Sequence, residues 1–317
     1  MPIDNDKTKE KFIEVANING YLIPGPNIYV RHRKFPFFDV PEMKFGNMPR
    51  DGGNFILTPE ERDDLISKNP RAEKWIRPYI GSKEFIQGIK RYCLWLEDCT
   101  PDELRKMPLV YERVKNVREF RLASKAASTR KFADKPMLFC QMAQPKTNYL
   151  LVPRVSSERR KYIPIGYMDA NTIASDATLT VPNANLFHFG VLMSSVHMNW
   201  VRLVCGRLKS DYRYSATICY NPFPWPLFYP EEFKARIEKT AQKILDARKN
   251  YPKASYADLY DEISMPYDLR KAHEENDLAV LSLYGRLKPE MSELEMQIEL
   301  LYMYEELREN FDDLDEE

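Results

Sequence analysis

The ten residues from Gly206 to Ser215, GRLKSDYRYS, bring Arg207, Lys209, Asp211 and Arg213 together with Ser210, Tyr212, Tyr214 and Ser215. Lysine donates to guanine O6 and N7 in the major groove and aspartate accepts from cytosine N4, so a Lys-x-Asp pair suits one G·C pair in one orientation. In an extended or looped stretch Lys209 and Asp211 point to the same side, as residues two apart do on a strand, which lets them address the same base pair. Arg213 extends the reading to a neighbouring purine. The same spacing also makes an ordinary surface ion pair. A second cluster, RVSSERRKYIPIGY, supplies Arg154, Ser156, Ser157, Arg159, Arg160 and Lys161. These cations and hydroxyls suit phosphate oxygens, contacts that position a duplex without reading it; Arg207, Tyr212 and Tyr214 join them as backbone contacts. An exposed charged turn has the same composition.

Other chemistry is missing. There is no phosphate-binding G-x-x-x-x-G-K-[ST] loop, no nucleophile elbow and no acid pair with a following Glu-x-Lys of the nuclease type. Methyl transfer to adenine needs a glycine-bearing turn after a strand and an Asn/Asp/Ser-Pro-Pro-aromatic motif to hold the flipped base. Asn221-Pro222-Phe223-Pro224 exchanges the second proline and the aromatic, which misplaces both carbonyl and ring. The five cysteines are scattered with no C-x-x-C pair, and the four histidines fall in no metal-binding spacing. No catalytic residue, metal ligand or cofactor site is assigned to the chain.

Positioning these residues takes a sizeable framework. Residues 136 to 220 are rich in β-branched and aromatic runs, including ATICYN, broken by Pro, Asn and Asp, and predict a curved antiparallel sheet. It is interrupted at LFHFGVLMSSVHMNWVRLVCGRL by one buried amphipathic helix. Thr58-Pro59-Glu60-Glu61 and Thr100-Pro101-Asp102-Glu103 are helix starts. Residues 109 to 131 place Val110, Val114, Val117 and Leu122 at helical spacing among seven cations, a basic helix whose scarcity of acids favours a phosphate-facing role over a merely solvated face. After the proline cluster ending at Pro226, Ser255-x-x-Asp258 and Ser292-x-x-Glu295 cap members of a set of three or four helices before an acidic tail. The first 45 residues read as a short polar helix and an extended pair around Pro24-Gly25-Pro26-Asn27, completing a neighbouring domain. The fold class is therefore α+β: an extension over 1–45, a sheet domain with packed helices over 46–228, and a small all-helical domain over 229–317.

Charge divides at the same place. Up to Pro230 there are 35 Lys and Arg against 24 Asp and Glu, and after it 12 against 23, although the total is zero. Such asymmetry suits a nucleic-acid face beside an acidic module, and equally a solvated surface. No apolar run approaches the roughly 18 residues of a membrane span, which makes the cytoplasm the expected location and a membrane partner unexpected. Three functions remain open on these grounds: a DNA-specificity module, an adaptor built on the acidic helices, and a self-contained methyltransferase using Asn221.

Five strings in order, FGNMPRDGG, GSKEFIQGIKRYCLWL, SSERRKYIPIGY, GRLKSDYRYS and YNPFPWP, resemble the target-recognition domain of MmeI-like type IIL restriction-modification enzymes. The resemblance runs from about Phe45 to Pro226, and the helical remainder resembles the C-terminal domain of the same proteins. It implies sequence-specific recognition of double-stranded DNA on behalf of an adenine-N6 methyltransferase domain of the same polypeptide. S-adenosylmethionine and Mg would act in upstream domains. It further implies that a basic-then-acidic pair at Lys209 and Asp211 goes with G, and that Ser210, Arg213 and Ala177 read neighbouring bases.

Overall fold

The structure, a computed structural model, describes residues 14–226 and 229–312. Most of the polar helix expected at the N-terminus and residues 313–317 of the acidic tail lie outside them. From Asn17 to Gly25 the chain makes a tight turn with one antiparallel bridge between Ile18 and Pro24. It then runs without regular pairing to strand β1 (Lys44–Phe45). This segment, expected to complete a neighbouring domain, packs on the last helix of its own chain. Arg31 N donates to Tyr304 Oη at 2.9 Å, and Phe37 meets the rings of Tyr304 and Phe311 at 5.9 and 5.4 Å. Asn221 fastens it from the other side by donating to the carbonyls of Arg33 and Lys34.

Strand β2 (Ile56–Leu57) leads to α1 (Pro59–Lys68), which starts where the sequence predicts: Thr58 Oγ1 accepts from Glu61 N, and the Glu61 carboxylate accepts from Thr58 N. Strand β3 (Ile76–Ile80), helix α2 (Ser82–Gln87) and strand β4 (Tyr92–Leu94) follow, then α3 (Pro101–Arg105) behind the same box at Thr100 and Glu103. Helix α4 (Pro108–Leu122) buries Val110, Val114 and Val117 as its spacing predicts, but leaves Leu122, counted with them, exposed. Its phosphate-facing role fails at Arg121, which is completely buried. All five guanidinium N–H donors end on backbone carbonyls, those of Pro49, Arg50, Phe132, Lys135 and Leu138, at 2.7 to 3.1 Å. A buried charge is tolerable only with such complete pairing. Arg113 is likewise occupied, by Asn54 O and Glu61.

Beyond the short α5 (Ala127–Arg130) come β5 (Tyr149–Pro153), β6 (Val155–Ser156), β7 (Gly166–Met168), β8 (Ile173–Ala174) and β9 (Thr178–Pro182). The single curved sheet resolves into small ones. Strands β1-β9-β5-β7 form an antiparallel sheet, and β2-β4-β3-β8 a second whose β3-β8 pairing is parallel. The expected long helix is two, α6 (Leu186–Leu192) and α7 (Ser195–Val204), because Ser194 interrupts it. Its hydroxyl donates to Val191 O and accepts from His197 N, so it closes one helix and caps the next. Strands β10 (Gly206–Leu208) and β11 (Asp211–Arg213) join β6 in the third sheet. Residues Ala216–Tyr220, expected as strand, form one wide helical turn closed by Asn221 N to Ala216 O at 2.8 Å.

Four helices complete the described chain: α8 (Glu231–Lys249), α9 (Tyr256–Leu259), α10 (Tyr267–Leu281) and α11 (Glu293–Asp312). They do not form a separate core. One apolar cluster runs from Ile28 and Phe37 through Leu150, Val181 and Trp200 to Ile244, Val280 and Leu300. A second, around Phe55, Leu94, Val114 and Phe139, holds the β2-β4-β3 sheet against α1, α3 and α4.

Candidate nucleic-acid interface

Strands β10 and β11 pair with Gly206 opposite Arg213, Arg207 opposite Tyr212 and Leu208 opposite Asp211; β11 then pairs with β6, Tyr212 opposite Ser156 and Arg213 opposite Val155. Cross-strand partners share a face and successive residues alternate. One face therefore carries Arg207, Tyr212 and Ser156, the other Leu208, Asp211, Gly206, Arg213 and Val155. Burial shows which face is which. Tyr212 is 3% exposed and Tyr214 1%, while Arg213 and Leu208 are exposed.

This alternation corrects part of the sequence reading. Tyr214, expected on the DNA backbone, shares a 2.9 Å hydrogen bond with His197 Nε2 in the core. Tyr212 is buried beneath the Arg207 guanidinium, 4.1 Å from the ring centre, and Ser156 is buried on the same face. These three hold the hairpin and are not available to a duplex. Burial also pulls the His197 pKa down to about 3, so the imidazole is neutral.

Lys209 and Ser210 form the turn that joins the strands, both exposed. Of the extended and looped alternatives, Lys209 takes the looped one and stands at the tip with φ of 58°, while Asp211 opens the strand that follows. A non-glycine residue in the left-handed region costs roughly 1–2 kcal/mol. Lysine has no local hydrogen bond to gain there, unlike asparagine or aspartate, so strain is kept where the side chain is presented outward. The alternative ion pair is not formed: neither Lys209 nor Asp211 takes part in a salt bridge among the described residues, where Arg207 pairs with Glu158 at 4.0 Å and Arg202 with Glu293 at 3.3 Å.

Asp211, half-buried, lines a cleft with Lys83 and Gln87 of α2, Ser157 and Arg160. Burial lowers the Arg160 pKa, and the carboxylates of Asp211 and Asp261 counter it. Arg160 also donates to Ser156 Oγ at 3.4 Å, so it braces the hairpin from below, whereas Arg159 and Lys161 are exposed.

Ala177 is far in sequence from Tyr214, the neighbour of Arg213, yet one hydrogen-bonded chain links them. The buried Ser82 hydroxyl donates to Ala177 O and accepts from Arg154 N at 3.0 Å; Arg154 O accepts from Tyr214 N at 2.8 Å. The Arg154 guanidinium donates to Asp176 O at 2.9 Å and lies over Phe45, 4.8 Å from the ring centre. Burial and the neighbouring Arg213 lower its pKa. Arg154, expected on phosphate, is a brace between the exposed Ala177 loop and the hairpin. Ser82, Lys83 and Gln87 were not singled out from sequence. The i, i+4 spacing of Lys83 and Gln87 opposite buried Phe85 and Ile86 is the signal that marks an outward polar pair.

Asn221 is 3% exposed and spent on the Arg33 and Lys34 carbonyls, which removes the reading in which it holds a flipped base. Gly81 lies between β3 and α2, where Glu84 Oε2 and Ser175 Oγ stand 2.6 and 2.9 Å from the place a Cβ would take. Among the described residues no group of three or more His, Cys, Asp or Glu side chains gathers to hold a metal, and no helix is long and apolar enough to cross a membrane.

Fold and surface together define an α+β recognition module, a braced polar hairpin on small antiparallel sheets backed by helices. Comparison with known proteins gives it a family. The model of the MmeI target recognition domain matches residues 24–227 and that of the MmeI C-terminal domain residues 230–312; the chain belongs to this family. DNA methyltransferase A of Bacillus subtilis (strain 168) is 40% identical over 314 residues, covering 97% of this chain and 35% of the relative. A solved structure of the type IIL restriction-modification enzyme MmeI in complex with DNA matches with a TM-score of 0.91 at 45% identity, over 94% of this chain and 39% of that one. The chain thus spans little more than a third of either relative.

Proposed function

We propose that this chain recognises the sequence of double-stranded DNA in the major groove and serves an adenine-N6 methyltransferase whose catalytic domain, with its S-adenosylmethionine, lies in other parts of a longer cytoplasmic polypeptide. Lys209 and Asp211 read one G·C pair, Lys209 donating to guanine and Asp211 accepting from cytosine. Ser210, Arg213 and Ala177 read neighbouring bases. Ser157, Arg159, Lys161 and Arg207 contact the backbone, and Arg154, Arg160, Ser156, Tyr212 and Tyr214 hold the readers in place.

The observation that carries this reading is the alternation along the hairpin: its buried face is aromatic and bonded into the core, and its open face and strained tip present a lysine, an aspartate and an arginine that make no ion pair with one another among the described residues. Lys209→Glu combined with Asp211→Arg, in the full-length form that the gene encodes, is expected to invert one G·C preference to C·G in the methylated sites found by genome-wide methylation sequencing. Unchanged sites in the double variant overturn the reading.

A further inference from the structure

The open face of the hairpin carries one apolar group among its polar ones. Leu208 stands directly opposite Asp211 and is 51% exposed, although its neighbours Arg207 and Lys209 and its partner strand are polar. Single exposed leucines are common on protein surfaces; this one shares a face with Asp211 and Arg213. Taking the hairpin as the DNA-reading element, we propose that Leu208 is a specificity residue that packs on the C5 methyl group of a thymine in a base pair next to the one read by Lys209 and Asp211.

Three features support this. Cross-strand partners hold their Cβ atoms about 4.5–5.5 Å apart, and base pairs stack about 3.4 Å apart, so when Asp211 reaches one pair Leu208 overlies the next. The thymine methyl is the one apolar feature that the base edges offer in the major groove, and an aliphatic side chain is its complement. Beside Leu208 on the same face, Gly206 carries no side chain. A Cβ there would meet nothing nearer than Arg213 O at 3.7 Å, and its φ is not in the left-handed region, so neither packing nor backbone requires glycine. Its bareness leaves the face low enough for a duplex to approach Leu208 closely.

The test uses the full-length form and duplexes carrying its methylation site, in which each thymine of the site and its flanking pairs is replaced singly by deoxyuridine. One position is expected to lose about fourfold in affinity, the worth of one buried methyl group. Leu208→Ala is expected to lose that sensitivity and to keep the G·C preference set by Lys209 and Asp211. Leu208→Thr, which keeps the strand propensity, guards against a misformed hairpin and should give an intermediate value. Site-specific binding without any deoxyuridine-sensitive position, or with the same sensitivity in Leu208→Ala, overturns the assignment of Leu208 alone. Failure to distinguish the site from a scrambled duplex overturns the reading of the hairpin itself.

Discussion

Replacing Arg121 with methionine keeps most of the side chain's length and removes its five donors. Each is used: the completely buried guanidinium ties Pro49 and Arg50 on one side to Phe132, Lys135 and Leu138 on the other. A hydrogen bond from a charged group contributes about 1.5–3 kcal/mol. The five are not additive and some freed carbonyls can turn to water, so the expected loss is roughly 5 kcal/mol, a large part of the ~5–15 kcal/mol that holds a domain together. Lysine offers three donors from a point charge and cannot span the same fork, so Arg121→Lys should lose roughly 2–3 kcal/mol. Urea unfolding followed by circular dichroism measures both, and DNA affinity of the folded protein is read alongside. A wild-type unfolding midpoint in Arg121→Met would refute the brace. So would an Arg121→Lys variant of full stability that binds every DNA sequence less tightly, since that is how a phosphate contact behaves.

Further outcomes follow from the same geometry. Arg159→Ala removes an exposed cation and should weaken binding to all sequences alike while lowering the slope of affinity against salt by about one ion; loss confined to the cognate site, measured by titration at several salt concentrations, would contradict it. His197 is held neutral in the fold by burial, its pKa about 3 against 6.5 in the unfolded chain. The unfolded state therefore takes up the proton first, and the stabilisation is complete above about pH 6.5 and is lost as pH falls toward 3, by up to ~1.4 kcal/mol per unit. His197→Gln should flatten the acid limb of a stability-against-pH curve by one proton, and an unaltered slope would place the titrating group elsewhere.

What the sequence declared and what it withheld divide along physical lines. The caps at Thr58, Thr100, Ser255 and Ser292 were legible because a capping box is local chemistry. The hairpin tip was legible as a cluster of donor and acceptor types, but not as a turn, because Lys209 lacks the glycine or asparagine that marks a left-handed position. Period-two alternation does separate Tyr212 and Tyr214 from Asp211 and Arg213, yet which set faces inward depends on the core behind β11. The split at Ser194 was hidden because apolar spacing continues across it. Arg121 was misjudged because composition counts a buried arginine and a solvated one alike. The docking of the segment around Phe37 on α11, more than 260 positions away, had no local signal.

Under the proposed function, the alternation along β10 and β11 separates holding from reading by a single residue step. Tyr212 and Tyr214 fix the hairpin from beneath, and Arg160 and Ser82 brace it, so exchanges at Lys209, Ser210 or Arg213 leave those buried side chains in place, whereas Asp211 also offsets the Arg160 charge. Mutations at Lys209, Ser210 and Arg213 are then nearly free of folding penalty, and under the proposed function a lineage can drift from one target sequence to another through folded intermediates. The left-handed backbone at Lys209 adds a direction to that drift: glycine, asparagine and aspartate are the residues most easily acquired at the tip, and a cation there is kept against that preference.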